Sequence, residues 1–145
     1  MTTKSSKTAA FRLGAVLALV IGMTATGQPA EAQSTDVFGR VLCSTREHHF
    51  VVDGPVTNGC PGEEVTPGEL FLTSVAACGV ELVQVFARQE DVPLAGMRVA
   101  IDGEFDLDDP VRPDVTVFRR VRLRFELDGV DPDDAERLVT RFKGR

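Results

Sequence analysis

The sequence predicts one α+β domain whose elements follow the order strands, helix, strands, helix. Three features predict it: a pair of short strands before a Gly- and Pro-rich loop, a long capped helix, and an alternating strand that leads into a second capped helix. The chain has 145 residues, which suits a single domain. Its 43% hydrophobic and 26% charged residues are the balance of a globular protein.

The charge and aromatic content argue against a nucleic-acid partner. Sixteen basic and 22 acidic residues give a net charge of −6, and an acidic chain is poorly suited to binding phosphates. The absence of Trp and Tyr also argues against a platform for stacking bases. Three cysteines are too few for a disulfide scaffold and leave at least one thiol without an internal partner.

The first 32 residues are typical of a secretory signal peptide. A basic segment ending at Arg12 precedes the apolar run 13–23, and Ala30-Glu31-Ala32 forms a small-x-small cleavage site. The apolar run has 11 residues, well short of the roughly 20 that span a bilayer. We therefore expect a mature domain of residues 33–145, exported to the periplasm or the medium and free of the membrane. The alternative is a cytoplasmic protein with an N-terminal extension.

Two apolar-rich segments, residues 36–42 and 48–53, predict a β-hairpin. Residues 53–68 follow with a high density of glycine and proline, which indicates a long loop. Long loops in compact domains are often functional.

The first helix has a strong start signal. Thr66 at the N-cap, Pro67 at the first helical position and Glu69 two residues later form a capping box. Pro93 predicts that the helix ends near Asp91. Apolar residues recur at spacings of 4, 3, 4 and 3 and predict one stripe: Phe71, Val75, Cys78, Leu82 and Val85.

The last elements are two strands and a helix. Residues 98–107 and 115–127 predict strands, and the second alternates apolar side chains with three arginines, Arg120, Arg122 and Arg124. We interpret the arginines as a solvated sheet face rather than an anion site, since acids lie nearby. Asp131-Pro132 predicts the start of a second helix. Its inward stripe is predicted to be Ala135, Leu138, Val139 and Phe142.

Cys78 is the main candidate for chemistry. It is either a small core residue, as buried cysteines often are, or a reactive thiol. A reactive thiol needs a nearby cation or a helix N-terminus to lower its pKa, and Cys78 lies 12 residues beyond the cap. Glu69 is about 13 Å from Cys78 along one helix. It therefore serves as the cap, or else reaches the thiol site of a second subunit.

Cys43 and Cys60 leave two alternatives open. A disulfide between them would close an 18-residue loop and contribute about 3 kcal/mol. With His48 or His49 they could instead bind a metal, but the tight pairs of zinc sites are absent and adjacent strand histidines point to opposite faces. We therefore predict neither a metal nor a cofactor.

The motifs together resemble the OsmC/Ohr family (osmotically inducible protein C and organic hydroperoxide resistance proteins). The resemblance rests on His48-His49-Phe50-Val51-Val52-Asp53-Gly54-Pro55, on Thr66-Pro67-Gly68-Glu69-Leu70-Phe71-Leu72 and on Ala76-Ala77-Cys78. It covers about residues 36–142 and is closest to members with a Pro-x-Glu motif.

The resemblance implies an OsmC-like fold in an intertwined homodimer. The long central helix packs on antiparallel sheet, and the thiol site lies at the dimer interface. Cys78 matches the cysteine that attacks an organic hydroperoxide and becomes a sulfenic acid. A second cysteine, in a Cys-Pro context, then forms a disulfide that a dithiol such as a lipoyl group reduces.

Three departures from the family pattern affect the site. The chain ends before the place of the Cys-Pro segment and the last strand, so either the reading frame is truncated or the usual cycle has been lost, with Cys60 or Cys43 as the candidates for a second thiol. The well-known peroxidases have glutamate where Gly68 stands, one residue before Glu69. The activating arginine has no clear match, and Arg40 and Arg46 are the nearby candidates.

We therefore predict a thiol-dependent peroxidase that reduces organic hydroperoxides in oxidative-stress defence, with a dithiol reductant. The alternative is a non-catalytic dimeric binding or stress protein that has lost the second cysteine. The two differ in whether Cys78 turns over peroxide.

Overall fold

The computed structural model describes residues 30–106, 108–114 and 117–144. The predicted signal peptide lies outside the described residues apart from positions 30–32. The α+β architecture is confirmed, and within these ranges the chain forms two antiparallel sheets and two α-helices. A short 3-10 helix covers Val56–Asn58. The strands and helices are β1 (Glu31–Ser34), β2 (Arg40–Thr45), β3 (His48–Asp53), α1 (Pro67–Gln89), β4 (Gly96–Glu104), β5 (Arg120–Asp128) and α2 (Pro132–Lys143).

The first sheet has the strand order β1-β2-β3 and is antiparallel throughout. The predicted hairpin is β2–β3, but β2 starts at Arg40 rather than at residue 36. Gly39 has φ +78°, and the Thr35 hydroxyl accepts the backbone N–H of Val37, so residues 35–39 turn instead of extending. β1 was not predicted, because its exposed residues are ordered by pairing with β2 and carry no apolar alternation.

Helix α1 begins as predicted. The Thr66 hydroxyl accepts the backbone N–H of Glu69, and the Glu69 carboxylate accepts the backbone N–H of Thr66 at 2.8 Å. The helix ends at Gln89, close to the predicted end, and Asp91 follows with φ 55°. By length and composition α1 could also cross a bilayer, a property shared by the central helices of many soluble proteins.

Helix α1 is apolar on two faces. The face that packs on the β4–β5 sheet is not centred on the predicted stripe, although Leu82 of that stripe also packs against the core. The buried residues are Gly79, Val83, Phe86 and Ala87. A Cβ on Gly79 would lie 3.4 Å from the Phe125 ring, so this face approaches the β4–β5 sheet closely. On the predicted stripe, Phe71 remains 53% exposed and Val85 39% exposed. This second face lies about 100° around the helix from the first.

The second sheet pairs β4 with β5, from Gly96 opposite Asp128 to Glu104 opposite Arg120. On its outer face Arg120 forms an ion pair with Glu104. Helix α2 starts at the predicted cap, where the Asp131 side chain accepts the backbone N–H of Asp134 at 2.9 Å. Leu138 of α2 is fully buried against the packed face of α1. The described core therefore lies between α1, α2 and the β4–β5 sheet.

Candidate functional site

An apolar groove of about 430 Å³ separates the β1–β3 sheet from the first turns of α1. We call it the sheet–helix groove. Its sheet wall is made of Ala32, Val41, Cys43 and Val52, and its helix wall of Pro67, Leu70, Phe71 and Ser74. Because strand side chains alternate, Arg40 and Asp53 lie on the opposite face of the same sheet.

Cys78 continues the helix wall of the sheet–helix groove. It follows Ser74 by four residues, which places it about 6 Å further along the helix and about 40° around it. Cys78 is a free, exposed thiol, and Ala77 and Gly79 beside it add little bulk. Among the described residues none is recorded within hydrogen-bonding distance of this thiol. A cation that activates it would have to come from elsewhere.

Glu69 forms hydrogen bonds at the start of the same helix. Its Oε2 accepts both the backbone N–H and the hydroxyl of Thr66, each at 2.8 Å. The backbone hydrogen bond first, and the hydroxyl second, hold the pKa of Glu69 below its usual range. The carboxylate is therefore ionised and used as the cap. The structure does not bring it to Cys78 of the same chain.

Arg40 is held in an ion-pair cluster with two acids. Its Nε and Nη2 each donate to the Asp53 carboxylate at 2.8 Å, and Nη2 also donates to Glu63 at 2.7 Å. Asp53 is fully buried and accepts the backbone N–H groups of Glu63 and Glu64. The hydrogen bonds from Arg40 are the main reason that the pKa of Asp53 falls to about 2. The same contacts, Asp53 first, raise the pKa of Arg40.

Neither candidate arginine is hydrogen-bonded to the Cys78 thiol in the part of the chain that the structure describes. Arg40 is committed to Asp53 and Glu63 on the sheet face that points away from the groove. Arg46 occupies the exposed turn between β2 and β3, with φ 54°. The buried partner of Arg40 is Asp53, which ends β3 just before Gly54-Pro55. An acidic residue in this position is the sequence signal that could have indicated the pair.

Cys60 lies over a pair of glycines at the end of the first sheet. The Gly54 N–H donates to the Gly39 carbonyl at 2.8 Å, and a Cβ on either glycine would collide with the Cys60 sulfur. Cys43 and Cys60 are both free thiols in the structure, so the alternative of a disulfide between them is not formed.

The two histidines considered for a metal site lie at the start of β3. His49 Nδ1 lies 2.9 Å from the Ser44 hydroxyl, and His48 is exposed at the start of β3. In the part of the chain that the structure describes, His, Cys, Asp and Glu form no group of three that could hold a metal ion.

A second cleft, of about 370 Å³, lies at the N-terminus of α1; we call it the aromatic cleft. Phe118 stacks on Phe71, with ring centroids 5.8 Å apart, and meets Phe105 edge-on at 5.9 Å. Gly103 leaves the space that the Phe118 ring fills. Sequence reasoning missed this cleft. The residues that line it are Pro55, Thr66, Pro67, Gly68, Phe105, Val117 and Phe118.

Comparison with known proteins places this fold among OsmC-like proteins. The family described as OsmC-like protein matches residues 60–145, and no curated protein matches the chain. An OsmC-like protein of Mycoplasma pneumoniae is similar in structure, with a TM-score of 0.71, 13% identity, and coverage of 85% of this chain and 84% of that one.

Two organic hydroperoxide resistance proteins are also similar in fold. The protein of Legionella pneumophila has a TM-score of 0.62 and 20% identity, over 77% of this chain and 78% of that one. The protein of Elizabethkingia anophelis has a TM-score of 0.63 and 16% identity, over 77% and 76%.

Proposed function

Because the chain belongs to the OsmC-like family, we propose that it is a thiol-dependent peroxidase that reduces organic hydroperoxides in oxidative-stress defence. The observation that carries the proposal is the exposed Cys78 thiol, which lies on an apolar helix face and continues an apolar groove. An apolar wall beside the nucleophile favours a hydroperoxide with an organic substituent over hydrogen peroxide.

The reaction uses one thiol and one peroxide bond. The Cys78 thiolate attacks an oxygen of the hydroperoxide, the S–O bond forms as the O–O bond breaks, and the alkoxide leaves and takes a proton. Cys78 is oxidised to a sulfenic acid and the hydroperoxide is reduced to an alcohol. A dithiol then supplies two electrons, returns Cys78 to the thiol and releases water.

A homodimer would complete this site. Cys78, Phe71 and Val85 lie on the face of α1 that its own sheet leaves open. A second copy that covers this face would bury the apolar side chains and exclude water from the thiol.

A non-catalytic dimeric binding or stress protein is the alternative function. This alternative is favoured because the side chains that could activate a thiol already have other partners. Glu69 caps helix α1, and Arg40 is bound by Asp53 and Glu63. A Cys78 thiol without an activating partner would react slowly with a peroxide.

The test is oxidation of the full chain by one equivalent of cumene hydroperoxide in the presence of a sulfenic-acid trap, followed by peptide mapping. We expect the trap on Cys78 before Cys43 or Cys60, and peroxide consumption when dihydrolipoamide is added. Cys78→Ser should abolish both. An unmodified Cys78 together with no dithiol-dependent turnover would overturn the proposal and favour the binding protein.

A further inference from the structure

Cys43 is a half-buried thiol that faces the sheet–helix groove. In β2 it lies opposite Ala32 on one side and Phe50 on the other. Val41 and Val52 share its face of the sheet, and both also line the groove. Cys43 is therefore the thiol that the first sheet presents toward α1.

Cys78 lies one helical turn beyond the helix wall that faces Cys43, outside the residues that line the groove. Phe71 and Ser74 line the groove together with Cys43. Cys78 is the next residue on that helix face after Ser74, about 6 Å further along the axis. The two thiols thus share one surface of the molecule, with Cys43 on the sheet side and Cys78 on the helix side.

Cys60 has a different environment. Its sulfur occupies the space above Gly39 and Gly54, at the end of the sheet. The Cys60 thiol is also within 3.9 Å of the Asn58 carbonyl, in its own loop. Of the two other thiols, Cys43 is the one whose groove continues to Cys78.

We propose that Cys43 is the second thiol of the catalytic cycle and forms a disulfide with Cys78 of the same chain after peroxide attack. This inference rests on the proposed function, since it needs an organic hydroperoxide to oxidise Cys78 to a sulfenic acid. The Cys43 sulfur attacks the Cys78 sulfur, the S–S bond forms as the S–O bond breaks, and the hydroxyl leaves with the thiol proton as water. A dithiol reduces the disulfide to two thiols and becomes a disulfide itself.

Closing the groove is the motion that the bond requires. A disulfide needs the two Cα atoms within about 7 Å, and the open groove now separates the sheet from the helix. The groove walls are apolar, so their closure buries apolar surface. A disulfide would also protect Cys78 from further oxidation to the sulfinic acid.

The test compares three forms of the full chain: wild type, Cys43→Ser and the matched control Cys60→Ser. Each receives one equivalent of cumene hydroperoxide, and non-reduced peptides are mapped by mass spectrometry. We expect a Cys43–Cys78 disulfide, in a band of monomer mass on a non-reducing gel, for wild type and Cys60→Ser. Cys43→Ser should instead accumulate Cys78 sulfenic acid, which the trap captures, and sulfinic acid when peroxide is in excess.

Other outcomes separate this inference from the proposed function. A Cys60–Cys78 disulfide, a bond between two chains, or a sulfenic acid that decays as fast in Cys43→Ser as in wild type would overturn the role of Cys43 while peroxide attack at Cys78 stands. No oxidation of Cys78 in any form would overturn both. The wild-type peptide map decides the matter even if Cys43→Ser folds poorly.

Discussion

Arg40 binds both carboxylate oxygens of the fully buried Asp53, with Nε–Oδ1 and Nη2–Oδ2 distances of 2.8 Å. The two residues lie directly opposite each other in β2 and β3. Asp53 also accepts the backbone N–H groups of Glu63 and Glu64, just before the cap of α1. The pair therefore joins the first sheet to the loop that leads into the helix carrying Cys78.

The depressed pKa of Asp53 predicts loss of stability in acid. The ordinary pKa of 3.8 falls to about 2 in the folded chain, so the ionised carboxylate stabilises the fold above pH 3.8. This contribution is lost as the pH falls from 3.8 through about 2. Asp53→Asn should lower the stability at pH 7 and remove this part of the acid dependence, as measured by urea unfolding at a series of pH values. The control is Glu47→Gln in an exposed turn, which should keep the wild-type slope; an unchanged slope in Asp53→Asn would contradict the prediction.

The capping box predicts a measurable cost for losing Thr66. Thr66→Ala removes the acceptor of the Glu69 N–H and should lower the free energy of unfolding by about 1 kcal/mol. Thr73→Ala, at an exposed position of the same helix, is the matched control and should be neutral or slightly stabilising, since alanine is the better helix former. Urea unfolding monitored by circular dichroism measures both. Equal effects of the two variants would show that the cap contributes nothing.

Gly103 predicts a packing defect when a methyl group is added. A Cβ there would lie 2.7 Å from the Phe118 ring and 3.0 Å from the Leu72 side chain. Gly103→Ala should therefore displace Phe118 and lower the free energy of unfolding by about 1–3 kcal/mol. Gly68→Ala is the control, because its Cβ would meet only the Phe118 Cζ, at 4.0 Å. A Gly103→Ala protein as stable as Gly68→Ala in thermal unfolding would contradict the prediction, because it would show that the Phe118 ring can move aside without cost.

The open face of α1 predicts that a charge there disrupts self-association. Val85→Glu places a carboxylate in the face that the proposed dimer would bury, and should shift the protein to a monomer in light scattering. Gln84→Glu is the control, since residue 84 is exposed and lies about 100° away around the helix. A Val85→Glu protein that remains dimeric would show that any dimer forms through another surface.

Both helix starts could be predicted from the sequence because capping is local. Thr66 and Asp131 accept hydrogen bonds from residues only three positions away, so the signal lies within one turn. The strand bounds were less certain. β5 starts at Arg120, so residues 117–119 of the predicted strand do not extend it, and Phe118 turns instead across Gly103 toward Phe71. Positions 115 and 116 of that prediction lie outside the described residues. Whether a residue extends a strand or packs across it depends on contacts that are distant in sequence.

The sequence indicated which residues belong to the candidate site, but not where the fold places them relative to one another. The family motif identifies Cys78, but the spacing of its stripe does not say which apolar face of α1 meets its own sheet. The bond of Arg40 to Asp53 depends on strand register, and the placement of Cys43 opposite Phe71 depends on how the sheet lies over the helix. None of these follows from local propensity, because each joins elements whose relative position is set by the whole fold.

Helix α1 has one apolar face buried in its own chain and another that is exposed and that the proposed dimer would cover. If most of that second face is covered only on association, folding and assembly become one equilibrium governed by mass action. Stability would then rise with the amount of protein in the cell, and dilute chains would lose the enclosure of Cys78 along with their fold. Expression level would in this way act on the reactivity of the thiol without any regulator that binds it.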